Sequence, residues 1–191
     1  MRMLELFSGT KSVSRVFENQ GWECVSLDLK NASIETNILD WDYKQFPPGY
    51  FDFVWASPPC TEYSIAKSTG VRKIDEANKI VLRTLEIIEY LKPKHWVLEN
   101  PQTGYLKKQE FMSGLGFVDV DYCKYGFDYR KRTRLWNNIE GFVPRALCRG
   151  DCEGFANGKH KRQAQKDFCK VVELYRVPES LVLQIHQSAM N

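Results

Sequence analysis

The segment Ala56-Ser-Pro-Pro-Cys-Thr-Glu-Tyr-Ser64 follows an apolar run, Phe51-Asp-Phe-Val-Trp55, and sets two prolines directly before a thiol. Proline fixes φ and removes a backbone donor, so this stretch is stiff and cannot continue a central strand. A thiol held on a rigid loop just past a strand is well placed to act as an aimed nucleophile. The plainer alternative is a buried cysteine in an ordinary turn, since a free cysteine packs as a small apolar residue. Three other segments carry groups that could work with it. In Leu6-Phe-Ser-Gly-Thr-Lys-Ser12, Gly9 would let the backbone approach a ligand where a helix begins. Asp28 lies nineteen residues beyond Gly9, at the usual place for an acid that accepts hydrogen bonds from ribose hydroxyls. The pair suggests a nucleoside-bearing cofactor. A full G-x-G-x-x-G is absent, which disfavours a dinucleotide, and a plain strand-to-helix turn is the alternative. Glu99 and Asn100 end a further apolar run, where a protonated Glu99 could donate to a ring nitrogen that a thiolate attacks elsewhere on the ring. Arg130, Arg132 and Arg134 alternate, so on a strand they would share one face, free to bind phosphate and to support the carboxylate.

These groups need elements that bring them together. Residues 3–7, 23–29, 51–56, 95–100, 116–127 and 132–139 read as strands. Lys11–Gln20 reads as a helix on the spacing of Val13, Val16 and Phe17, with Gly21 as its left-handed stop. Ile74–Leu91 reads as a second helix through Val81, Leu85, Ile88 and Leu91, ended by Pro93. Alternating strands and helices predict an α/β domain with a largely parallel sheet. In such sheets ligands bind beyond the carboxyl ends of the strands, so the scattered groups could converge on one cleft.

The composition is that of a globular domain, with 43% hydrophobic and 27% charged residues in 191. No apolar run reaches the roughly 18 residues of a membrane span, and the first ten residues lack the apolar core of a signal peptide. An intracellular setting follows, cytoplasmic or nuclear according to source, with the six cysteines reduced rather than paired. The net charge of +3 hides an asymmetry. Residues 129–170 carry eleven Lys or Arg against four Asp or Glu, and the remainder carries sixteen against twenty. A basic segment on an otherwise acidic domain suggests a polyanionic partner, with a solvated loop as the alternative.

Taken in order, Glu5–Ser12, Pro58–Ser64, Val97–Pro101, Arg130–Trp136 and Tyr175–Leu181 resemble the motifs of the cytosine-5 DNA methyltransferase family, over nearly the whole chain. The resemblance implies a Rossmann-like class I methyltransferase fold: a mostly parallel central sheet, helices on both faces, and a small basic C-terminal recognition insert. It implies S-adenosylmethionine as cofactor, with Phe7, Gly9, Thr10, Ser12, Asp28, Leu29, Asn37 and Pro59 around it. Asn37 falls where the family usually has an Asp near the adenine amino group, and its amide oxygen could still accept that bond. Cys60 would add to C6 of cytosine and Glu99 would act at N3. Asn100 would fix the loop carrying the cysteine. Arg134 would steady Glu99 or the C2 carbonyl, and Arg132 would meet phosphate or base. The target would be a cytosine flipped out of double-stranded DNA, with Ser64, Arg130, Lys159, Lys161 and Arg162 on the nucleic acid and the protein acting as a monomer.

The chain is short for that family. Residues 1–136 would form the catalytic domain, 137–174 a reduced target-recognition segment, and 175–191 a closing motif and helix that pack back on the first. So small a segment suggests a short recognition site or relaxed specificity. RNA as substrate, or a non-catalytic nucleic-acid-binding relative, are the competing readings, and a role in restriction, self-protection or regulation stays open. Cys148, Cys152, His160 and Cys169 have the spacing C-x3-C-x7-H-x8-C, which could close a tetrahedral zinc site. The C-x2-C step is missing and the family does not require zinc, so free thiols are expected and no metal ligand is assigned. Ordinary packing is expected for His95 and His186.

Overall fold

Apolar side chains alternate along the first strand, β1 (Arg2–Leu6), so that Met3 enters one layer of the core and Leu4 and Leu6 the other. The same alternation recurs in β4 (Phe53–Ala56) and β5 (His95–Pro101), where Phe53, Trp55 and Val97 face one side and Val54, Ala56 and Leu98 the other. Strands apolar on both faces must be covered on both faces. The computed structural model, which describes residues 1–162 and 171–191, shows this arrangement. Helices α1 (Ser14–Asn19) and α3 (Glu179–Met190) cover one face through Phe17, Leu181 and Ile185. Helix α2 (Ile74–Leu91) covers the other through Val81, Ile87 and Leu91.

With β2 (Glu23–Asp28), β3 (Ile34–Glu35), β6 (Phe117–Asp121) and β7 (Arg132–Asn137), the sheet has the order β3-β2-β1-β4-β5-β7-β6. The first five strands pair in parallel, and β7 runs antiparallel to both neighbours. The class I methyltransferase architecture expected from the motifs is therefore present. A hairpin of two-residue strands, β8 (Phe155–Ala156) and β9 (Lys159–His160), lies in the basic segment. Among the described residues no helix is long and apolar enough to cross a membrane.

Two elements differ from expectation. Helix α1 starts at Ser14 rather than Lys11, because Lys11 sits in the left-handed region at φ 54° and its amide closes a turn on the Ser8 carbonyl at 2.6 Å. The sixth strand ends at Asp121, and Tyr122–Tyr125 forms a 3-10 turn stopped by Gly126 at φ 98°. The end of the chain returns to its beginning. The Val177 amide donates to Ser12 Oγ at 3.0 Å, and Trp22 Nε1 donates to His186 Nε2 at 3.0 Å. His186 thus packs between Phe17 and Trp22.

One buried acid makes the fold sensitive to pH. Glu5 is 3% exposed on β1 and its Oε2 accepts the Ser14 amide at 3.0 Å, at the start of α1. Burial raises its pKa from 4.5 to about 7, with the bonds from Ser14 opposing. The folded state therefore holds this proton more tightly than the unfolded chain. The associated stabilisation is complete below pH 4.5 and is lost as pH rises through about 7. At 1.36 kcal/mol per pKa unit the loss is about 3 kcal/mol. Urea unfolding of the wild type and Glu5→Gln across that window should show their stability difference change by this order, the wild type losing ground as pH rises.

Candidate active site

Leu6, Ala56 and Leu98 stand in register across β1, β4 and β5, and Leu27 of β2 joins them. The residues that follow each of them, Phe7, Ser57, Glu99 and Asp28, emerge at one edge. They surround a single cavity of about 490 Å³.

One end of this cavity is built from the turn after β1 and the end of β2. Phe7 and Gly9 are in the left-handed region, at φ 61° and 46°, and Gly9 spares the turn a Cβ in that conformation. Asp28 ties the turn down: its Oδ2 accepts the Gly9 amide at 2.8 Å and its Oδ1 the Leu29 amide at 2.6 Å. Each carboxylate oxygen keeps a further acceptor position. Leu29 lines the cavity although it is 66% exposed, an apolar side chain with little protein over it. Of the residues expected at the cofactor, Phe7, Gly9, Ser12, Asp28, Leu29, Asn37 and Pro59 line the cavity. Thr10 does not, and its hydroxyl is buried without a hydrogen-bond partner among the described residues. Asn37 Oδ1 already accepts the Leu39 amide at 3.0 Å, so the oxygen expected to meet an adenine amino group is shared with a turn. Glu5 and Thr36, which the sequence did not single out, also line the cavity, as do Tyr175 and Val177 of the segment expected as the closing motif.

The other end carries Cys60, Glu99 and Asn100. Asn100 is buried, and its Nδ2 donates to the Pro58 carbonyl at 2.9 Å, which fastens the proline loop to β5. The loop beyond is braced by Arg72, which donates to the carbonyls of Glu62, Ser64 and Lys67 at 2.7–3.0 Å. Ser64 itself lies off the cavity, with its Oγ accepting the Ala66 amide. Glu99 is 6% exposed and its Oε1 accepts from Tyr122 Oη at 3.0 Å and Lys131 Nζ at 3.4 Å. Burial pushes the Cys60 thiol above its ordinary value; the Lys131 ammonium opposes that shift, and the Glu99 carboxylate adds to it.

The arginines are arranged differently from expectation. Arg132 and Arg134 do share a face, as their alternation predicts, but it is the face of Asp121 and Asp119, their direct partners on β6. Arg132 makes a two-pronged pair with Asp121 at 2.8 and 3.0 Å, and Arg134 one with Asp119 at 2.8 and 2.9 Å. Neither lines the cavity, and Glu99 points to the opposite side of the sheet. The cation beside Glu99 is Lys131, whose position between Arg130 and Arg132 was the one available signal. Arg130 also bonds Asp121, at 3.2 Å. Lys159 and Lys161 lie on or beside the β8–β9 hairpin, away from the cavity. Arg162 is held by Glu173 at 2.9 Å and Asp128 at 3.8 Å rather than standing ready for phosphate.

Comparison with known proteins agrees with this architecture. Residues 1–110 match the family described as C-5 cytosine-specific DNA methylase. The chain is 42% identical over 165 residues to the "Probable DNA (cytosine-5)-methyltransferase" of frog virus 3 (isolate Goorha), covering 78% of this chain and 76% of that one. A solved E. coli structure, of a prophage-encoded protein assigned as a DNA modification methyltransferase, shares the fold with a TM-score of 0.56 at 15% identity. It covers 78% of this chain, and the chain spans about half (52%) of its length.

The site's electrostatics can be checked directly. In Lys131→Met the alkylation of Cys60 by iodoacetamide, followed by peptide mass spectrometry, should have its pH midpoint shifted upward. Arg134→Ala should leave that midpoint in place, since Arg134 is bound to Asp119. A shift in the second variant and none in the first would reverse the assignment.

Proposed function

The chain belongs to the C-5 cytosine-specific DNA methylase family, and we propose that it methylates C5 of a cytosine extruded from double-stranded DNA, through a covalent bond between Cys60 and C6. The observation that carries this reading is the shared cavity, with Asp28 and Phe7 at one end and Cys60 and Glu99 at the other. A methyl donor and a base seated there would meet within one enclosure.

S-adenosylmethionine is the methyl donor of this enzyme family, and the residues present fit it. Asp28 has acceptor positions left for ribose hydroxyls, and Leu29 offers an uncovered apolar surface for a purine. Phe7, Gly9, Ser12 and Pro59 would complete the contacts. When bound, the cofactor supplies an electrophilic methyl group on sulfur.

Cytosine C5 is a weak nucleophile, and the chain's own residues would correct that. The Cys60 thiol gives up its proton to the Glu99 carboxylate that shares the cavity, the Lys131 ammonium favouring the thiolate, and the thiolate sulfur bonds to C6. The displaced π electrons move to N3, which becomes basic and takes a proton from Glu99. Tyr122 and Lys131 then stabilise the carboxylate that remains. C5, now enamine-like, takes the methyl group. Loss of the C5 proton to solvent expels the Cys60 thiolate, N3 returns its proton through Glu99 to that thiolate, and the aromatic ring is restored. Asn100 acts by holding the loop on which Cys60 is mounted. Arg132 and Arg134 serve the sheet edge through Asp121 and Asp119.

Residues 1–136 would be the catalytic unit, 137–174 the segment that meets DNA, and 175–191 the closing element. C6 is hidden in a stacked duplex, so the base must leave the helix to reach Cys60. Lys159 and Lys161 would contact phosphates, which positions DNA without specifying sequence. The protein would act as a monomer inside the cell.

A pool of 5-fluorocytosine duplexes of randomised sequence, incubated with S-adenosylmethionine, should give a covalent protein–DNA complex, because fluorine cannot leave as the C5 proton does. Cys60→Ser should abolish the complex. Glu99→Gln should slow methylation of genomic DNA by about 10²-fold or more. A complex that survives Cys60→Ser, or methylation confined to matched RNA, would overturn the proposal.

A further inference from the structure

Away from the cavity, four side chains with metal-binding chemistry meet at the sheet edge: Cys123, Cys148, Cys152 and His160. We propose that they form a structural zinc site that clamps the basic insert to the catalytic sheet. Their ligand atoms all lie within 4.8 Å of one another. Tetrahedral zinc with Zn–S of about 2.3 Å and Zn–N of about 2.0 Å requires S···S edges of about 3.8 Å and S···N edges of about 3.5 Å. Cys148 Sγ and His160 Nε2 are 3.6 Å apart, at that spacing. Three thiols and one imidazole make a common structural zinc set, closed to water and to chemistry. All three cysteines are free thiols, with Cys123 and Cys148 buried.

The surroundings support the ligands. The Gly150 amide donates to Cys148 Sγ at 3.4 Å, a bond that strengthens when the sulfur carries charge. Gly150 is at φ 89° and its α-carbon faces the Phe155 ring, where a Cβ would come within 3.0 Å. A side chain at 150 would therefore open the turn that joins Cys148 to Cys152. The Phe155 ring also meets the His160 imidazole edge-on, with centroids 5.2 Å apart, and so orients it.

The sequence spacing suggested Cys169 as the fourth ligand. Cys169 lies outside the described residues, and Cys123 takes that place from the 3-10 turn after β6. The substitution changes what the site does. With Cys169 all four ligands would come from the insert and would fold it on itself, whereas Cys123 joins it to the sheet. A hairpin of two-residue strands has too few bonds to hold a shape alone. Metal binding would provide that stability, as in other small metal-organised segments. The Cys148 amide also donates to Asp121 Oδ2 at 3.0 Å, so the clamp adjoins the carboxylate that holds Arg130 and Arg132.

The test needs no methyl transfer. The full chain, purified in buffer free of chelators and dialysed against metal-free buffer, should retain about one zinc per molecule by plasma mass spectrometry. Replacement by Co2+ should give the intense visible ligand-field bands and near-ultraviolet thiolate charge-transfer absorption of a tetrahedral sulfur-rich site. Cys123→Ser should lower zinc retention by about tenfold or more, while Cys24→Ser and Cys60→Ser retain it. His160→Cys should keep the metal and shift the cobalt spectrum toward four thiolates, which separates ligand loss from misfolding. Chelation should speed proteolytic cleavage within residues 145–162 while Cys60 keeps its reactivity. A wild-type chain without zinc and without a cobalt spectrum would overturn the site, as would a disulfide among the three cysteines. Zinc lost in Cys169→Ser but kept in Cys123→Ser would overturn the ligand assignment.

Discussion

Parallel pairing of β1, β4 and β5 in a single register is the constraint on which the site depends. Chain order runs outward from β1 through β2 to β3 on one side, and from β4 to β5 on the other. The turns that leave β1 and β4 therefore diverge and open a crevice between them. Leu6, Ala56 and Leu98 end their strands at one level. A slip of one residue in β5 would turn Glu99 to the far side of the sheet and bring Asn100 to its place. The Asn100–Pro58 bond supports the same register, because it forms only when the two strand ends are level.

Charge is distributed so that each face of the antiparallel edge has its own partners. On one face Asp119 and Asp121 absorb three arginines. Burial works against the Asp121 carboxyl, yet the Arg132 and Cys148 hydrogen bonds and the Arg130 charge hold it below its usual range. On the other face Glu99 meets one ammonium and one phenol, a sparser set that leaves carboxylate lone pairs for a ligand. The insert is joined to the crowded face, through the Cys148 amide and the neighbouring cysteine and histidine cluster. Glu99 and the basic insert thus lie on opposite sides of one short strand, β7.

Much of this was legible in the chain. Strand ends could be placed because apolar runs stop at Phe7, Asp28 and Glu99, and α2 begins and ends where its periodicity does. Sequence reasoning failed where a side chain's partner depends on which strand lies beside it. Alternation put Arg132 and Arg134 on one face, but only the pairing with β6 shows that face to be filled by aspartates. Lys131 was overlooked because its neighbours carry the same charge. Cys123 was overlooked for a related reason: it sits in a run that reads as strand, and a long excursion separates it from Cys148. The shortening of α1 follows from a left-handed Lys11, a conformation that residue type does not announce.

The latch between the two ends of the chain governs the order of assembly. Ser12 and Val177 lie 165 positions apart, and Trp22 and His186 lie 164 apart. Contacts that close such large loops carry the greatest entropy cost and form late unless something else gathers the ends. Tyr175 and Val177, which wall the cavity, come with that latch. A partly folded chain can therefore place Cys60 on a finished sheet while the walls that Tyr175 and Val177 add to the cavity are still missing. Such a species would leave the Cys60 thiol open to water on the side that the chain's last segment otherwise covers.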